Sequence, residues 1–309
     1  MSDDEMVEVS QALEKYYKNY TIYMRSPDGK GYFLYKQKGV PIEAVRIKEK
    51  RHPEKLYITL QDKVKEITSI QRKYNAQLKK EIKGDPAAAK AILWKTMEAT
   101  LSEPRTQILH NIKETIDIVV GEYIETPAVV SNLIEVSAKD YSTAVHSVNV
   151  MLFCLGFGQY SRFTVEDIKL FGLMGLLHDV GKTKVPDEIL KTNRDLTVRE
   201  AKILRRHTEH GYRIIKECRF DLKVALSALE HHERMDGSGY PDGKKGDEFL
   251  LQSAMLGLID TFEQKTSYRP DYKPLKPIEA LASIMEEVGK GKFNREMFKT
   301  FARSIVGMQ

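Results

Sequence analysis

The chain has 309 residues, 41% of them apolar, and a net charge of +5. That apolar share supports a real core and excludes wholesale disorder. The mild positive excess suits an anionic small molecule but lacks the dense basic stretches of a DNA binder, so no DNA partner is expected.

The acidic start Met1-Ser2-Asp3-Asp4-Glu5 does not resemble a signal peptide. The most apolar runs, Val150–Gly156 and Leu170–Leu177, are too short to cross a bilayer. A cytoplasmic protein is expected, with Cys154 and Cys218 as reduced thiols.

In chain order, residues 8–19 read as a short amphipathic helix. Tyr20–Met24 and Tyr32–Tyr35 read as strands around the turn Ser26-Pro27-Asp28-Gly29, where proline presets φ and glycine accepts φ > 0. Pro41–Lys50 reads as helical and Leu56–Thr59 as a third strand, closing a small α/β domain over residues 1–60 with its tyrosines and phenylalanine as core. Residues 61–104 read as a helical connector. In it Lys63–Lys83 is charged enough to be solvated, and Gly84-Asp85-Pro86 and Pro104 are breaks. Residues 105–309 are all-helical in signal, beginning with Arg105–Tyr123 and Pro127–Val136. Thr164 and Thr197 open capping-box patterns, and Asn294 is a cap candidate for the last helix. The fold class is mainly α.

The eight histidines are unevenly spread: all but His52 and His110 lie between His146 and His232. His178-Asp179 closes an apolar helical run and His231-His232 closes another. His146 lies among valines, His207 follows Arg205-Arg206, and Asp260 follows Ala254–Ile259. Any one of these alone is most simply a satisfied core residue or a cap. Together they would require several apolar helices each to bury a polar group for unrelated reasons, which one shared metal centre explains at once. Adjacent helical residues point about 100° apart, so His178 and Asp179 can serve different ions. Imidazole and carboxylate without thiolate suits Fe, Mn, Zn, Ni or Co. A bridging carboxylate with several histidines fits two metals about 3.5–4 Å apart, which activate water for attack on phosphorus.

These residues resemble the HD-GYP family of metal-dependent phosphohydrolases. The matching stretches are His178-Asp179-Val180-Gly181-Lys182, Val185-Pro186-Asp187-Glu188-Ile189-Leu190, His207-Thr208-Glu209-His210-Gly211, and His231-His232-Glu233 through Gly239-Tyr240-Pro241. The likeness runs from about Asp140 to the C-terminus. It implies an all-α domain and hydrolysis of cyclic di-GMP, a bacterial second messenger, to linear pGpG or GMP. The implied ligands are His146, His178, Asp179, His207, His231, His232 and Asp260, with iron the first choice of metal and manganese the second. Asp179 and Lys182 would be catalytic, and Lys182, Arg269 and Lys273 would contact substrate. Family members with a third metal carry a glutamate where this chain has Ser142, so two ions are expected. Gln264 stands where alanine is common, and Asp271 is an apparent insertion. Both leave room for a weakly active or inactive cyclic-dinucleotide sensor or scaffold, or for a hydrolase of another nucleotide. The N-terminal domain resembles one often placed ahead of HD-GYP domains. A regulatory role is expected for it, with protein partners through it or through the GYP loop.

Overall fold

A computed structural model describes residues 5–9, 19–40, 55–126, 128–136, 142–192, 194–268 and 273–307. Two compact units divide the chain at Ser69 and Ile70. No helix among the described residues is long and apolar enough to cross a membrane.

The first unit holds a four-stranded antiparallel sheet in the order β1-β4-β2-β3, with β1 Met6–Val9, β2 Ile22–Arg25, β3 Tyr32–Lys36 and β4 Leu56–Thr59. The β2–β3 turn closes as the sequence anticipates. Gly29 takes φ +70° and donates its N–H to the Ser26 carbonyl at 2.8 Å. Two readings need correction. Glu8 and Val9, read as the start of a helix, belong to the strand Met6–Val9 that pairs with β4. The core is built of Val9, Ile22, Leu56 and Ile58, whereas Phe33 is 44% exposed. Aliphatic side chains fill this thin sheet, and the aromatics Tyr20 and Tyr35 only flank it. The expected helix Pro41–Lys50 and most of the 8–19 helix lie outside the described residues.

Helix α1, Leu60–Glu81, reaches into the second unit. It is not a solvated rod. Leu78 and Ile82 belong to the main core, and Gln71 and Asn75 bond in the interior to Asn111 and Thr115. After it come α2 Pro86–Leu101, α3 Thr106–Glu125, α4 Ala128–Glu135, α5 Thr143–Tyr160, α6 Val165–Leu177, the 3-10 turn Val180–Lys184, α7 Asp187–Leu190, α8 Val198–Arg205, α9 His207–Glu217, α10 Leu222–Glu230, α11 Leu251–Thr266, α12 Pro277–Gly289 and α13 Arg295–Gly307.

The starts are written in side chains: Thr197 and Glu200 form a reciprocal capping box on α8, Thr164 accepts from the Asp167 N–H, and Asn294 accepts from the N–H groups of Glu296 and Met297. Ser142 also has a structural use, since its Oγ accepts from the Val145 N–H at 3.2 Å and caps α5. Helices α5 and α6 pack closely because α6 offers glycines. A Cβ on Gly175 would lie 2.9 Å from Cys154 Sγ and 3.1 Å from the Met151 backbone. That approach brings the first turn of α5 beside the end of α6.

Candidate metal centre

Helix ends converge on one buried point. His146 sits in the first turn of α5, His178 caps the end of α6 and Asp179 follows it. His207 opens α9, His231 caps the end of α10 with His232 next, and Asp260 lies within α11. Six of these seven residues are 0–1% exposed; His232 is half-buried.

The seven gather around one carboxylate, Asp179, which with His178 and His231 forms one close group of possible ligands. On one side His146 Nε2 is 3.1 Å from His178 Nε2, 3.1 Å from Asp260 Oδ1 and 3.3 Å from Asp179 Oδ2. On the other, His207 Nε2 is 3.2 Å from Asp179 Oδ1 and 3.4 Å from His231 Nε2. His207, His231 and His232 offer ligand atoms within 4.8 Å of one another, as do His146, His178 and Asp260.

The outer nitrogens of four of the rings have partners of their own. The Nδ1 of His178 donates to the Gly175 carbonyl at 2.7 Å, that of His207 to Leu204 at 2.7 Å, and that of His231 to Ala228 at 3.0 Å. His146 Nδ1 donates to Glu263 Oε2 at 2.5 Å. A proton on Nδ1 in these four rings leaves each Nε2 with a lone pair to turn inward. Asp179 Oδ1 is buried and has no hydrogen-bond partner. Lone pairs converging on an orphaned carboxylate oxygen are the arrangement a cation satisfies, and outer bonds of this kind orient metal-binding imidazoles. The residues fit the implied metals.

Electrostatics agree. Burial pulls His207 down to about 4, and burial also pushes His231 and His232 well below the ordinary imidazole value. Burial would raise the Asp179 carboxyl, but Lys182, His178 and His146 hold it well below the usual range. Burial opposes in the same way at Asp260, where His146, His178 and His232 prevail. Neutral imidazoles and ionised carboxylates are the forms that ligate.

Around the centre, Lys182 Nζ donates to Asp179 Oδ2 at 2.5 Å. Tyr240 stacks on His232, with centroids 4.6 Å apart, and the Arg205 guanidinium lies 5.1 Å from the Tyr240 ring. The loop carrying Tyr240 is pinned by two buried carboxylates. Glu233 accepts from the N–H groups of Asp242, Gly243 and Lys244, and Glu230 from Lys244 Nζ, the Leu250 N–H and Ser253 Oγ. Gly239 lies against this hairpin so closely that a Cβ there would come within 2.5 Å of the His232 carbonyl oxygen and the Arg234 nitrogen.

Lys273 is exposed and makes no hydrogen bond or ion pair with the centre among the described residues. Arg269 and Asp271 lie outside them. Sequence reading passed over Glu263, Asn149, which donates to Glu263 Oε1 at 2.9 Å, and Arg205. Glu263 carries a usable signal: it stands three residues after Asp260 on the same helix, hence on the same face. Arg205 carries none, because an Arg-Arg pair reads as solvated charge.

Residues 160–297 match a family model described as HD domain. This stretch is similar to an HD domain. A cyclic di-GMP phosphodiesterase of Pseudomonas aeruginosa is 31% identical over 193 residues, 62% of this chain and 46% of the relative. A 3'3'-cGAMP-specific phosphodiesterase of Vibrio cholerae is 30% identical over 185 residues, 60% of this chain and 42% of the relative. A cyclic di-GMP phosphodiesterase of Thermotoga maritima is 36% identical over 129 residues, 41% of this chain and 35% of the relative. The chain thus spans less than half the length of these curated relatives. Among solved structures, Bd1817, a HDG"Y"P protein from Bdellovibrio bacteriovorus, shares the fold. Its TM-score is 0.64 at 16% identity, over 98% of this chain and 100% of that one. The matched span contains six of the seven converging residues; His146 precedes it.

Proposed function

We propose that this chain is a dinuclear metal-dependent phosphodiesterase that opens a cyclic dinucleotide, cyclic di-GMP foremost, to linear pGpG or GMP. The observation that carries the proposal is the division of seven inward-facing ligands into two pockets that share Asp179. The first ion would be held by His146, His178, Asp179 and Asp260, the second by Asp179, His207, His231 and His232. Iron is the foremost metal and manganese the next. When bound, such a pair supplies Lewis acidity and an activated water for in-line displacement at phosphorus. The names of the relatives support the substrate class.

The chain's own residues do the rest. Asp179 sets the spacing of the two pockets. Lys182 brings a positive charge to their rim, where charge on a nonbridging phosphate oxygen develops. Arg205, steadied by the Tyr240 ring, presents its donors to a second phosphate, and its planar fork suits that geometry. Lys273, and Arg269 beyond the described residues, are the remaining candidates for substrate contact.

The test is turnover of cyclic di-GMP, 3'3'-cGAMP and cyclic di-AMP by protein purified and loaded anaerobically with iron or manganese. Linear product is expected from cyclic di-GMP first, with loss of activity on chelation. Arg205→Ala is expected to raise KM about tenfold, the loss of one charge-assisted contact, with metal content unchanged. Metal-replete protein that neither binds nor opens any of the three would end this reading.

A further inference from the structure

Gln264 lies one helical turn beyond Asp260 on α11. Its amide nitrogen donates to both oxygens of that carboxylate, at 2.7 Å to Oδ1 and 2.8 Å to Oδ2. A nitrogen nearly equidistant from the two oxygens sits on the edge between them. That edge is the position a cation would take if Asp260 chelated it through both oxygens. Asp260 is buried, so no water-exposed alternative edge is available to it. Oδ1 keeps a second direction, toward His146 Nε2 at 3.1 Å and His178 Nε2 at 3.8 Å.

The other pocket has no comparable arrangement. The imidazoles of His207 and His231 are backed by main-chain carbonyls, and the Asp179 oxygen that faces them has no donor. We infer that Gln264 restricts Asp260 to single-oxygen contact with an ion and so makes the His146–His178–Asp260 pocket the weaker of two unequal metal sites. The inference rests on the two-metal reading above. An ion that drew both oxygens of Asp260 would have to displace the amide and strand a half-buried donor, which costs free energy. The donated N–H groups also draw on the lone pairs that a metal would use. Gln264 is therefore a positioning residue: it acts through Asp260.

The experiment titrates manganese(II) into the metal-free chain and follows free manganese by its electron paramagnetic resonance signal. Wild type is compared with Gln264→Met, which keeps the length and bulk of the side chain without the N–H donors, and with Gln264→Ala. Wild type is expected to fill two sites in separate steps. In both variants the weaker step should tighten about tenfold, the low end of the effect of changing a ligand's outer partner, while the tighter step stays put. Two equal steps in wild type, or a weaker step unmoved in the methionine variant, would overturn the inference and leave the two-metal reading intact. Uptake of fewer than two manganese ions by wild type would overturn both.

Discussion

Asp179→Ala is expected to empty both pockets, leaving less than a tenth of the wild-type metal after gel filtration and no measurable turnover. Its two oxygens face different histidine sets, Oδ2 toward His146 and His178 and Oδ1 toward His207 and His231. Asp260, the other buried carboxylate, makes its ion pairs with His146 and His178. Without it, one pocket keeps only imidazoles. The other keeps Asp260, whose outer edge is occupied by Gln264. Lys182→Ala should behave differently. A protonated amine cannot ligate, so both ions should stay while turnover falls on the order of 10²–10³-fold, the usual effect of removing one preorganised charge stabiliser. Elemental analysis beside a rate measurement separates the two, and equal metal loss in both variants would contradict these roles.

Gly181→Ala is expected to be the most destabilising single methyl in the centre. A Cβ at that position would fall onto the His207 carbonyl oxygen and the Gly211 backbone nitrogen. These are main-chain atoms of α9, which have no rotamer to yield. Overpacking of a well-filled interior costs about 1–3 kcal/mol, and a collision with backbone belongs at or above the top of that range. For a unit of this size, about 3 kcal/mol corresponds to a fall in Tm of roughly 6–12 °C. The 3-10 turn must also move off α9, drawing Asp179 away from His207, so metal retention should fall with Tm. Gly121→Ala is the control: its Cβ meets nothing within 4 Å, and a helical alanine there should leave both readings unchanged or slightly raise Tm. A Gly181→Ala protein that melts with wild type would refute the close approach.

Much of the centre was legible in the sequence because all its parts but Asp260 sit at or near helix ends. His178-Asp179 and His231-His232 each interrupt an apolar period where a helix should stop, and such breaks can be seen without coordinates. The caps at Thr164, Thr197 and Asn294 were legible for the same local reason, as was β4 at Leu56–Thr59. What escaped depends on distant partners. Strand β1 exists because β4 pairs with it, and four residues carry too little periodicity to announce that. The buried side of α1 was hidden because Gln71 and Asn75 look solvent-facing until Asn111 and Thr115 meet them. Ser142 was read for the carboxylate it lacks, whereas its hydroxyl caps α5. Gln264 stood out as a departure, but its hold on Asp260 depends on a side-chain geometry that no spacing specifies.

The imidazoles of His178, His207 and His231 are each held by a carbonyl three residues back in the chain, at Gly175, Leu204 and Ala228. Those acceptors belong to the backbone and are present whatever side chain stands there. A substitution at Leu204 or Ala228 that preserves the helix therefore cannot strip a ring of its acceptor. Only His146 relies on a side chain, Glu263, and so exposes its tautomer to a single codon change. Three of the four rings whose acceptors are defined are thus insulated against sequence drift, and inherited damage to this wiring should concentrate at position 263.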